Sequence, residues 1–164
     1  MQSYSPDDID RLVGCPKKIA QPPRKEMKNE RGHLRNQMQL SSQDGSESFS
    51  VYMRKNERFQ EYFSIGLRYH SKEGHSLDLI RYNGLHSQRS ASGGDGLHFV
   101  YHIHRAQAQD INEGRLSLRH AVPTDAYASY EEALVHFVSD VNILDAGDHF
   151  GPLTAELPFD GEGE

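Results

Sequence analysis

Three histidines share one parity in a nine-residue stretch, Leu97-His98-Phe99-Val100-Tyr101-His102-Ile103-His104-Arg105. The odd positions between them are Leu97, Phe99, Tyr101 and Ile103. Alternation of period two marks a strand with one face on a core. Side chains two residues apart on a strand project together, about 6–7 Å apart. His102 and His104 therefore form a pair of imidazoles, with His98 further back on the same side. An imidazole titrates near about pH 6.5, so such a pair can accept and donate protons at neutral pH. Each positioned proton transfer is worth about 10²- to 10⁴-fold in rate. Arg81 and Arg105 are the nearby cations that could hold a phosphate bidentately. Arg105 has the opposite parity to His104 and reaches the site only if a bulge re-aims it.

The catalytic candidates are His86, His102, His104, Arg105 and Arg81, with Asn83 and His98 lining the substrate. A second reading makes His102 and His104 ligands of a transition metal, with His86, His98 or Asp95 completing the shell. In the first reading no cofactor is needed. A third reading is a polar sheet face whose histidines only fill hydrogen-bond roles. Other signatures of chemistry are missing: no phosphate-binding loop, CxxC pair, GxSxG elbow or HExxH occurs. Gly93-Gly94-Asp95-Gly96 is rich in glycine, but no helix pattern follows it, so it reads as a flexible loop.

The elements that position these residues are legible from periodicity and turn signals. Ser5-Pro6-Asp7-Asp8 opens a short helix, with Ile9, Leu12 and Val13 as its apolar face, and Gly14 and Pro16 end it. Pro16 to Arg35 is polar and carries six cations before its last residue (Lys17, Lys18, Arg24, Lys25, Lys28 and Arg31), which reads as a solvated connecting arm. Strands follow at His33–Leu40, Ser48–Met53, Tyr62–Tyr69 and Leu77–Tyr82. Turn signals separate them at Gln43-Asp44-Gly45-Ser46 and Lys72-Glu73-Gly74. The histidine strand comes after a Ser- and Gly-rich loop, and Arg115–His120 adds a short sixth strand. The connections are too short for helical crossovers, so the sheet is an antiparallel meander. Leu77–Asn83 should then pair with the histidine strand. Ser129-Tyr130-Glu131-Glu132 has capping-box spacing. Leu134, Phe137, Val138 and Val141 follow at helical spacing, predicting an amphipathic helix over 129–143. Phe99, Tyr101 and Ile103 should pack under Phe137 and Val138.

The fold class is therefore α+β: an antiparallel β-meander of five to six strands, a C-terminal amphipathic helix on one face, and a short N-terminal helix. Residues 1–32 form the helix and polar arm, 33–144 the α+β domain, and 145–164 an acidic disordered tail. The chain has 164 residues and a formal charge of −6, with ten histidines. Acidic residues cluster in the tail, which leaves the middle nearer neutral and open to a local basic patch. One cysteine, Cys15, excludes an internal disulfide and fits a reducing compartment. With no signal-peptide pattern and no membrane-length apolar run, the expectation is a cytoplasmic protein that does not engage a membrane.

Four stretches, taken in order, carry a resemblance: Asp10-Arg11-Leu12 to Pro16-Lys17, Asn83-Gly84-Leu85-His86, His102-Ile103-His104-Arg105, and Phe137 to Ile143. Together they resemble a family of small bacterial and phage-borne domains of unknown function, over most of residues 7–143. More distantly, Arg81-Tyr82-Asn83 with the later His-x-His is similar to the TumE family of toxins from toxin–antitoxin pairs. Gly84 stands where those toxins continue differently, and their Pro-His-His run is absent. The resemblance implies a small toxin-like domain acting on RNA as a metal-independent ribonuclease. The alternative is a non-catalytic phage or mobile-element protein that binds and inhibits a partner protein, an antitoxin or a host target.

Overall fold

Apolar side chains at every second position build the centre of the molecule. Met38 and Leu40, then Phe49, Val51 and Met53, then Phe63, Ile65 and Leu67, are all buried. A computed structural model describes residues 3–85 and 100–150. Among the described residues there are eight strands and four short helices in an α+β arrangement. The strands are β1 (Lys17–Gln21), β2 (Lys28–Glu30), β3 (His33–Ser42), β4 (Ser48–Asn56), β5 (Phe63–His70), β6 (Ser76–Asn83), β7 (His102–Arg105) and β8 (Ala121–Pro123). The helices are α1 (Pro6–Gly14), α2 (Ala108–Asn112), α3 (Tyr130–Asp140) and α4 (Ala146–His149). None is long and apolar enough to cross a membrane.

One antiparallel sheet takes all eight strands in the order β1-β3-β4-β5-β6-β7-β8, with β2 also beside β3. β1 pairs with residues 39–42 of β3, and β2 pairs with residues 33–35, so the two lie end to end along one edge. The expected meander is present from β3 to β7, including the pairing of β6 with the histidine strand.

Three expectations differ from the structure. The sheet has eight strands rather than five or six. Two of the extra strands come from the arm read as a solvated loop. An edge strand needs only main-chain bonds from its neighbour, and all three β2 residues are exposed, so no apolar alternation marks it. The last strand is Ala121–Pro123, not Arg115–His120, which forms a loop. The chain beyond Leu144, expected to be mostly disordered, begins with α4, and residues 151–164 lie outside the described residues. At the start of α4 the Asp145 carboxylate accepts the Ile19 N–H at 3.0 Å, and Ala146 is buried.

Helices α1 and α3 cover one face of the sheet. The α1 cap is reciprocal: Ser5 Oγ accepts the Asp8 N–H, and the Asp8 carboxylate accepts the Ser5 N–H. In α3, Ser129 Oγ accepts the Glu132 N–H, and the Glu132 carboxylate returns to the Ala128 N–H. The Phe137 ring meets Tyr82 edge-on at 5.4 Å, and Tyr127 stacks on the same tyrosine at 5.5 Å. Tyr101 and Ile103 are partly buried against this core, with Tyr101 beside Phe63 and Tyr127. Phe99 lies outside the described residues.

Candidate functional site

In an antiparallel pair, residues directly opposite one another share a face. That rule, applied to the register, separates the helix-covered face from an open one. Ile103 pairs with Tyr82, and Arg105 pairs with Ile80, so both belong to the covered face. His104 pairs with Arg81, and His102 with Asn83, on the open face. The structure thus brings together four of the sequence candidates: Arg81, Asn83, His102 and His104. Arg105 is not among them. Its guanidinium bonds Asp10 of α1 at 2.5 Å on the far side of the sheet, because no bulge occurs within β7 to re-aim it. His86, His98 and Asp95 lie outside the described residues.

The two imidazoles sit edge to face with ring centres 5.0 Å apart. His102 Nδ1 is 2.8 Å from the Val100 carbonyl, and His104 Nδ1 is 2.7 Å from the Leu118 carbonyl. A carbonyl only accepts, so each Nδ1 carries the hydrogen. In the neutral ring Nε2 then holds the lone pair, the basic nitrogen of each imidazole. His102 is 2% exposed and His104 partly exposed, so the two differ in access although they share a face. The Tyr127 hydroxyl lies 2.9 Å from the Asn83 carbonyl and 3.0 Å from the His102 carbonyl, tying β6 to β7 here.

Residues that carried no signal for chemistry hold His104. Leu118 belongs to the loop after α2, which folds around the buried Asp110. Arg115 Nε donates to the Asp110 carboxylate at 2.7 Å, and this bond holds the carboxyl below its ordinary range. Ser117 Oγ donates to the Asp78 carbonyl on β6, fixing the loop to the sheet.

Towards β5 the open face continues through Arg81. Its Nε donates to Asn83 Oδ1 at 2.8 Å, and its positive charge lies near the Tyr52 hydroxyl. Burial raises the Tyr52 pKa, so the hydroxyl stays protonated at neutral pH. Arg68 on β5 pairs with Asp78 at 2.7 Å. Beyond Tyr52 come Arg54 and Arg35, opposite one another on β4 and β3. A cavity of about 450 Å³ opens between them and the arm, lined by Arg24, Lys28, Arg35, Tyr52 and Arg54 among others. A second, of about 320 Å³, shares Arg35 and Arg54 and reaches Ser64 and Asn83. The two share those arginines, so the cavities follow one another along the open face from the arm to the partner of His102. Glu30 is the acid in their lining, bridged to Lys28 and Arg35.

Arg35, Tyr52, Arg54 and Arg68 were missed from sequence. They occupy the outward positions of strands whose inward positions are apolar. That parity was visible, but its consequence needs the register between strands.

Among the described residues no group of three or more His, Cys, Asp or Glu side chains is placed to hold a metal ion. No protein-family model, curated protein or solved structure matches the chain.

Proposed function

We propose that this chain acts on single-stranded RNA as a small toxin-like, metal-independent ribonuclease. The observation that carries the reading is the cationic groove that ends at Asn83, opposite His102 on the neighbouring strand. Lys and Arg side chains along a groove neutralise successive phosphates and release counterions, which drives binding without sequence readout. The acidic net charge does not oppose this. All eighteen Lys and Arg residues precede residue 145, while the last twenty residues hold six acids and no Lys or Arg. Residues 1–144 therefore carry eighteen acids against eighteen bases, a net charge of zero.

At the end of the groove, His104 Nε2 accepts the proton of a 2′-hydroxyl as its oxygen attacks phosphorus. The bond from phosphorus to the 5′ oxygen breaks, and a second imidazole protonates that leaving oxygen. Arg81 steadies the charge on the phosphorane. His102 orients His104 from its buried position, and His86 and His98 are the candidates for the second transfer. The test is expression of the wild type and of His104→Ala in cells, with RNA integrity read out. It is paired with a pH profile in vitro, expected to be bell-shaped near neutrality and indifferent to EDTA. A folded wild type that leaves RNA intact removes this reading.

One observation favours inhibition of a partner protein instead. Leu116 and Val122 are largely exposed, the second on β8, the outermost strand of the sheet among the described residues.

A further inference from the structure

Tyr52 lies flat across the sheet because its neighbour on β5 has no side chain. Tyr52 and Gly66 are register partners. A Cβ on Gly66 would fall 2.2 Å from Tyr52 Cζ and 2.3 Å from its hydroxyl oxygen, inside any permitted contact. The ring therefore occupies the space above Gly66. It is held there from several sides. The Arg54 guanidinium is 4.8 Å and the Arg68 guanidinium 5.5 Å from its centre. Arg81, which faces Gly66 from β6, lies on the same side of the sheet. The result is a rigid aromatic and guanidinium layer on an open sheet face, at the wall of the larger cavity.

We propose that this layer is a stacking site for one unpaired nucleobase, and that it makes the groove selective for single strands. The inference rests on the reading of the groove as an RNA site and names what it recognises. Every base presents a π face, and aromatic rings and arginine planes both stack on it. In a duplex those faces are already stacked within the helix. The cavity of about 450 Å³ has the size of an ordinary small-ligand site. Gln37 and Gln39 line it beside Tyr52, with amides that can donate to and accept from a base edge. Arg35 and Arg54 line the same cavity and would take the flanking phosphates.

The experiment compares two labelled eight-residue deoxy strands of equal charge, one of thymidines and one of abasic spacers, by fluorescence anisotropy on the full chain. DNA keeps the strand uncleaved. The wild type is expected to bind the base-bearing strand about tenfold more tightly. Tyr52→Leu and Gly66→Ala should abolish that difference, the second by displacing the ring. Tyr52→Phe keeps the ring and should keep the preference. Melting curves verify that each variant is folded. Equal binding of both strands by the wild type overturns the base site but leaves the phosphate groove standing. Binding of neither strand overturns the groove and this inference together. A preference that survives Tyr52→Leu also overturns it, as the base would then sit elsewhere.

Discussion

Lys17 has no solvent exposure, and among the described residues no carboxylate is bonded to it. Its ammonium donates to the carbonyls of Val13 at 2.7 Å, Cys15 at 3.0 Å and Val141 at 2.8 Å. The first two belong to the end of α1 and the third to the end of α3. Helix ends leave carbonyls without partners inside the helix, and the negative end of the dipole favours a cation there. One lysine thus closes two helices and binds both to β1, with the Phe49 ring 4.8 Å away. Burial pushes its pKa down to about 8. Lys17→Met keeps the stem and removes the charge and the donors. An orphaned buried carbonyl costs about 1–3 kcal/mol. Removing the buried charge returns about 3 kcal/mol, the equivalent of the fall from 10.5 to about 8. At about 2 kcal/mol for each of the three carbonyls, the variant should be less stable by about 3 kcal/mol. The native pKa lies below the unfolded one. Above about pH 8 the native state releases a proton that the unfolded chain keeps until about pH 10.5. Wild-type stability should therefore gain with rising pH over that window relative to the variant. Urea unfolding at pH 7, 8, 9 and 10 measures both quantities. Equal midpoints at pH 7, or a difference between the two proteins that does not grow with pH, would refute the reasoning.

Gly84→Ala would place a Cβ 2.1 Å from the Glu61 carbonyl, a backbone atom that cannot turn aside. A loss of about 1–3 kcal/mol in denaturant is expected, and an unchanged midpoint would show that the β5–β6 end relaxes freely. Arg105→Ala breaks an exposed ion pair with Asp10, so stability should change by less than about 1 kcal/mol and RNA cleavage should not change. A large fall in cleavage by a stable Arg105→Ala protein would return Arg105 to the site. A chain ending at Phe150 should melt like the full chain. One ending at Leu144 should melt lower, because it loses the Asp145 bond to β1 and the buried Ala146; equal melting of the two would make α4 dispensable.

Local pattern decided much of this molecule. The parity of residues 33–83 separates the buried Met38, Val51 and Ile65 from the outward Gln37, Tyr52 and Ser64, because a strand has only two sides. The Ser5–Asp8 and Ser129–Glu132 spacings started two helices where those bonds form. The same parity placed His102 and His104 together and put Arg105 away from them. Other features needed neighbours distant in the chain. The arm became β1 and β2 because β3 offered a free edge to main-chain groups, which side-chain patterns do not record. His102 is buried although it lies on the polar face. Arg35, Arg54, Arg68 and Arg81 lie on four different strands, and only the register sets them on one face. Tyr52 looked like any outward strand residue until pairing set it above Gly66. Periodicity tells which side a residue takes within its own strand; which residues meet there depends on how the strands align.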